Sequence, residues 1–115
     1  MTVAFTLPLP PSANNLFPTG KGGRRFISPE YKAWRMEAGW ELNAQRARPM
    51  KGRVKVDIAV SEACRNDLDN NTKPIVDLLV AHKIIEGDSK KHVRAINLSW
   101  EPSIRAVNVT IYPCL

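Results

Sequence analysis

Hydrophobic and polar positions alternate at two different periods along the chain, and the switches between them predict its elements. Val3, Phe5 and Leu7 alternate with Thr2, Ala4 and Thr6, the period-two pattern of a half-buried first strand. The run Pro8-Leu9-Pro10-Pro11-Ser12-Ala13-Asn14-Asn15 ends that strand, because its prolines lack ladder donors. Ser28-Pro29-Glu30 reads as an N-cap, a proline at the first helical position and an acid facing the positive helix end. The helix opened there is expected to reach about Arg46, with Tyr31, Trp34, Ala38, Leu42 and Gln45 along one side. Pro49 and Gly52 close it off. Val54, Val56, Ile58 and Val60 alternate with Lys55, Asp57 and Ala59 as the clearest strand of all. Residues 75–83 then read as a second helix, with Pro74 in its first turn, where a missing N–H costs least. Ile96, Leu98 and Trp100 alternate in a third strand, and Val107, Val109 and Ile111 in a fourth.

The order is β-α-β-α-β-β. Two amphipathic helices and four strands predict an α+β, two-layer sandwich: a mixed sheet with both helices on one face. The chain has 115 residues, 43% hydrophobic and 24% charged, which bounds it to a single globular domain over 1–115. Lys+Arg number 17 against 11 Asp+Glu, a net charge of +6 that favours phosphate-rich partners. Two cysteines, Cys64 and Cys114, are too few for a disulfide scaffold and are expected to be reduced. The opening residues lack the basic and long apolar regions of a secretory signal, and no stretch is apolar enough to cross a bilayer. A cytoplasmic protein with no membrane partner is expected.

The acids of this basic chain are not spread evenly. Of its aspartates, Asp57, Asp67, Asp69, Asp77 and Asp88, all but the first lie between positions 67 and 88. Clustered carboxylates repel unless a cation joins them, and hard oxygen ligands suit Mg²⁺ or Mn²⁺ beside a phosphate. Asp67 and Asp69, two apart, are expected to point the same way in an extended segment, and a turn of chain is expected to return Asp88 beside them. Lys73, four residues past Asp69, is placed to meet charge building on a phosphate. Simpler roles compete: an Asp at a helix head is often a cap, and Asp77, mid-helix, reads more naturally as a structural carboxylate. A calcium loop is excluded, because Thr72 and Leu78 stand where the glycine and the final glutamate are required. Gly20-Lys21-Gly22-Gly23 does not match a P-loop. Cys64 reads as a small hydrophobe, His82 and His92 as surface or core residues, and Trp34, Trp40 and Trp100 as core. In the glycine-rich loop, Lys21, Arg24 and Arg25 are expected to contact a phosphate backbone rather than bases.

Arg65-Asn66-Asp67-Leu68-Asp69-Asn70, followed by Lys73, by Asp77-Leu78-Leu79 and by Ile85-Glu86-Gly87-Asp88, resembles the RusA family of Holliday junction resolvases. Those are small dimeric endonucleases often carried by phages and prophages. Leu7-Pro8-Leu9-Pro10-Pro11-Ser12-Ala13-Asn14 is similar to the family's first strand and proline loop, and Arg25-Phe26-Ile27-Ser28 leading to Tyr31 and Arg35 to the start of its first helix. The resemblance implies that Asp67, Asp69 and Asp88 are metal-binding catalytic carboxylates and Lys73 the essential lysine. Arg65 joins the expected DNA contacts, and Asn70, Asp77 and Glu86 are expected to support the site. Gly87, where the family often has a second acid, and Pro74 depart from the pattern. The implied activity is Mg²⁺-dependent phosphodiester hydrolysis resolving four-way junctions in recombination and repair, by a two-fold dimer with one site per subunit. A DNA-binding protein that does not cut, and a metal-dependent nuclease for flaps or forks, are the alternatives.

Overall fold

The computed structural model describes residues 2–11 and 28–114. Its elements run β1 (Val3–Leu7), α1 (Pro29–Ala44), β2 (Val54–Ser61), a 3-10 turn (Leu68–Asn71), α2 (Thr72–Ala81), β3 (Val93–Glu101) and β4 (Val107–Pro113). The expected α+β order is therefore present, with a 3-10 turn joined to the front of the second helix.

The strands form one mixed sheet in the order β1-β4-β2-β3. β4 inserts between β1 and β2, antiparallel to both, while β3 lies parallel to β2 at the edge. A parallel pair needs a long crossover, and the loop, 3-10 turn and α2 between Ser61 and Val93 supply it. The register sets Phe5, Val109 and Ile58 in one row and Leu7, Val107 and Val60 in the next. All of these are buried, on the face that α1 and α2 cover. The opposite face carries Ala4, Thr6, Asn108, Thr110, Asp57 and Ala59 on the same strands. Full burial of each core valine, leucine or isoleucine contributes about 1.5–3 kcal/mol.

α1 starts as its sequence dictates: the Ser28 hydroxyl accepts the Tyr31 N–H at 3.1 Å, and Pro29 opens the helix. Tyr31, Trp34, Ala38 and Leu42 are buried along one stripe. Gln45 extends the stripe differently, by clamping an edge. Its Oε1 accepts the Thr6 N–H at 2.7 Å and its Nε2 donates to the Thr6 carbonyl at 2.8 Å, so the free side of β1 is paired by a side-chain amide.

Both helices end without glycine. Arg46 (φ 53°) and Lys83 (φ 59°) take the left-handed position, and the Ala47 and Ile84 N–H groups reach back to the Leu42 and Leu79 carbonyls.

The expectation that all three tryptophans pack the core holds for one and fails for two. Of the tryptophans, Trp34 is buried, but Trp40 is 77% exposed and Trp100 39%. Position 40 lies six residues past 34, so helical rotation carries it off the buried stripe. Trp100 and Ile96 are half-covered because β3 lies at the edge of the sheet. No helix among the described residues is long and apolar enough to cross a membrane.

Candidate active site

The segment that leaves β2 is built by two buried asparagines. Ser61 turns the chain, its carbonyl accepting the Cys64 N–H at 3.0 Å and its hydroxyl the Ala63 N–H at 3.1 Å. Asn71 is fully buried. Its Nδ2 donates to the carbonyls of Leu68 (3.2 Å) and Asp67 (3.4 Å), while its Oδ1 accepts from Asn66 Nδ2 at 3.0 Å and Cys64 Sγ at 3.4 Å. Asn66 Nδ2 also donates to the Pro11 carbonyl at 2.8 Å, fastening the proline segment to this loop. The Pro8 carbonyl in turn accepts from Trp34 Nε1 at 2.9 Å.

These bonds wind Leu68–Asn71 into the 3-10 turn, and the Asn70 N–H donates to the Asp67 carbonyl at 3.1 Å. The extended geometry expected for Asp67 and Asp69 therefore does not occur. Asp67 is extended (ψ 151°), but Asp69 lies inside the turn, and the period-two rule ends where a helical turn begins.

Asp67 occupies the N-cap position of this turn, yet its carboxylate makes no capping hydrogen bond. Asp67 and Asp69 are both exposed, as are Arg65 and Asn70. Two uncommitted carboxylates two residues apart are hard oxygen donors of the kind that hold Mg²⁺ or Mn²⁺ through one or two side chains and several waters.

α2 follows directly, with Pro74 buried in its first turn. Lys73 Nζ lies 3.2 Å from Asp77 Oδ2, an exposed i,i+4 ion pair. α1 delivers a second pair of groups to the same place. Arg35 sits over the Tyr31 ring, 5.8 Å from its centroid. Burial, with Asp77 adding to it, raises the Tyr31 hydroxyl above its usual 10.0, against the pull of Arg35 and Lys73. Tyr31, Arg35, Lys73 and Asp77 thus form one electrostatic cluster between the first halves of the two helices.

Asp88 lies elsewhere. The Val54 N–H donates to the His92 carbonyl at 2.7 Å and the Met50 N–H to the Ile84 carbonyl at 2.8 Å, tying residues 84–92 to the start of β2. The Glu86 carboxylate is spent there, accepting the Gly52 N–H. Asp67 and Asp69 instead follow the end of β2, Ser61. At ~3.3 Å per residue the two ends of this strand are about 23 Å apart. Accordingly, no three His, Cys, Asp or Glu side chains among the described residues form a group that could hold a metal ion. Lys21, Arg24 and Arg25 lie outside the described residues.

Asn66, Tyr31 and Arg35 belong to the motifs read from the sequence, but their roles in bracing and charging this region, and that of Asn71, were not legible there. Asn70 and Asn71 are adjacent and chemically identical, and only the winding of the turn decides which one is buried. Tyr31 was legible as core but not as a neighbour of Asp77, because that proximity depends on how the helices pack.

No curated protein matches the chain. The family model for endodeoxyribonuclease RusA matches residues 8–112, from the proline segment through β4. That span contains the carboxylate loop, both helices and three of the four strands, and the chain belongs to the RusA endodeoxyribonuclease family.

Proposed function

We propose that the protein is a Mg²⁺-dependent, structure-selective DNA endonuclease that resolves four-way junctions in recombination and repair, working as a homodimer. The observation that carries this reading is the exposed pair Asp67 and Asp69, the first making no capping hydrogen bond, mounted on an asparagine-braced turn in a chain of the RusA family. Asp67 and Asp69 bind the metal, with Mn²⁺ as a possible substitute. Bound there, Mg²⁺ supplies Lewis-acid stabilisation and lowers the pKa of its water. Lys73, two residues into α2, presents its ammonium to the phosphate being cut, and Asp77, 3.2 Å away, holds the ammonium in place. Arg65, exposed beside the loop, and the basic run Lys21, Arg24 and Arg25 contact the DNA backbone.

Asp88 supports the homodimer. It lies at the far end of β2 from Asp67 and Asp69, and among the described residues of one chain no three carboxylates come together. A two-fold partner can offer its own Asp88 to the first copy's pair, which makes one site per subunit and matches the symmetry of a junction. The test is subunit mixing. Asp69→Asn and Asp88→Asn homodimers are each expected to lose junction cleavage. The mixed dimer keeps one Asp69 and one Asp88 in the same composite site, and is expected to nick junctions again. A mixed dimer as inactive as its parents overturns the shared site.

A further inference from the structure

We propose that the groove between α1 and the end of α2 is a stacking platform for an unpaired nucleobase of single-stranded or junction DNA, with Trp40 as its face. This rests on the reading of the protein as a DNA enzyme but concerns a surface outside the carboxylate loop. Successive residues of a helix rotate by about 100°. On α1 this carries Glu30, Glu37 and Glu41 to one flank of the buried stripe, and Lys32, Arg35 and Asn43 to the other. The charges of a single helix are sorted by sign. Met36 (72% exposed) borders the basic flank and Trp40 (77%) the outer face between the two flanks, and they are the most exposed large apolar residues among those described.

The groove has a volume of about 510 Å³, with Lys32 and Arg35 on its wall and, among the described residues, no carboxylate lining it. Its floor exists because position 39 is glycine: a Cβ there would stand 2.8 Å from the His82 ring. The imidazole therefore lies directly on the α1 backbone and joins the two helices in the groove that Trp40 also lines. An aromatic ring in a groove walled by two cations suits a base together with its phosphates. A second copy of this chain suits it less, because a two-fold contact centred here would set Lys32 and Arg35 against their own counterparts.

Position strengthens the assignment. Arg35 lines the groove and also covers Tyr31 in the cluster with Lys73 and Asp77. A strand leaving that cluster across Arg35 and Lys32 enters the groove that Met36 and Trp40 line. Bases inside a duplex hide their faces, so the groove selects DNA with unpaired nucleotides.

The experiment is fluorescence anisotropy of a 5′-fluorescein oligo(dT) twelve-mer with the full chain in chelator, where no cutting occurs. Trp40→Leu keeps an apolar side chain but removes the ring, and should weaken binding roughly 5- to 150-fold, the range for one lost base–aromatic stack. Trp40→Phe should stay close to wild type. Lys32→Gln should lower the slope of log affinity against log salt by about 0.7, one phosphate contact on a single strand. Trp40 is exposed, so unchanged thermal melting is expected and shows that the fold is intact. Equal binding by wild type and Trp40→Leu overturns the proposal. So does conversion of the dimer to monomer by Trp40→Glu in sedimentation, which would make the groove a protein contact. Oligonucleotide binding that depends on Trp40, in a protein that cuts no junction, would uphold the groove and sink the nuclease reading. Junction cutting with Trp40-independent binding would do the reverse.

Discussion

Replacing Asn71 tests whether a buried amide, rather than the carboxylates themselves, shapes the candidate site. Its side chain makes four hydrogen bonds inside the protein, and it has no exposed surface. Each ordinary hydrogen bond is worth about 0.5–1.5 kcal/mol net. The donations to Asp67 and Leu68, at 3.4 and 3.2 Å, and the thiol contact at 3.4 Å belong at the low end. Asn66 keeps its second acceptor, the Pro11 carbonyl. Asn71→Ala should therefore destabilise by about 2–3 kcal/mol, which for a domain of this size lowers the melting temperature by roughly 10 °C. Asn71→Asp should cost more, since it sets a buried, charged oxygen against two carbonyls that previously received N–H groups. Urea unfolding with linear extrapolation measures both. Because the lost bonds hold the 3-10 turn, junction cleavage by Asn71→Ala should also fall under conditions where the variant is fully folded. An unfolding free energy within about 0.5 kcal/mol of wild type, typical of an unimportant surface site, would refute the reasoning.

Other outcomes follow from the same geometry. Lys73→Ala breaks an exposed ion pair worth ~0–1 kcal/mol and should barely change stability, yet slow single-turnover cleavage by about 10²–10³; a rate within twofold of wild type makes Lys73 structural. The Tyr31 hydroxyl is raised above 10.0 in the fold by burial and Asp77. The unfolded chain therefore loses that proton first, so Tyr31's share of stability is intact below pH 10 and is lost as pH rises toward the folded value. Tyr31→Phe should flatten this alkaline decline in urea titrations, and an unchanged decline would assign it to another group. Gln45→Ala should cost about 1–2 kcal/mol by unpairing the outer edge of β1, with hydrogen exchange at Thr6 rising most; unaltered protection there would contradict the clamp.

Much of the fold was legible because burial follows period. The alternation in Val54–Val60 and Val107–Ile111 sits on strands buried on one face, and Ser28-Pro29 caps α1 as read. Neighbour relations were not legible: the pattern of β4 says which face it buries, not that it slides between β1 and β2. The same gap explains Asp88. A turn was expected to bring it back beside Asp67 and Asp69, but the parallel pairing of β2 with β3 sends the chain to the opposite end of the sheet. Side-chain roles failed where a local conformation changed period. The 3-10 turn rotates Asp69 away from its extended position and buries Asn71 instead of Asn70, and helical rotation exposes Trp40.

Junction resolution is tested most directly by incubating the wild-type protein with an end-labelled four-way junction and, in parallel, a linear duplex of the same sequence, each with Mg²⁺ and with chelator. Nicks confined to the junction, symmetrically placed across it and abolished by chelator, are the expected result. Binding to the junction without nicks in Mg²⁺ or Mn²⁺, or equal cutting of the linear duplex, would contradict it.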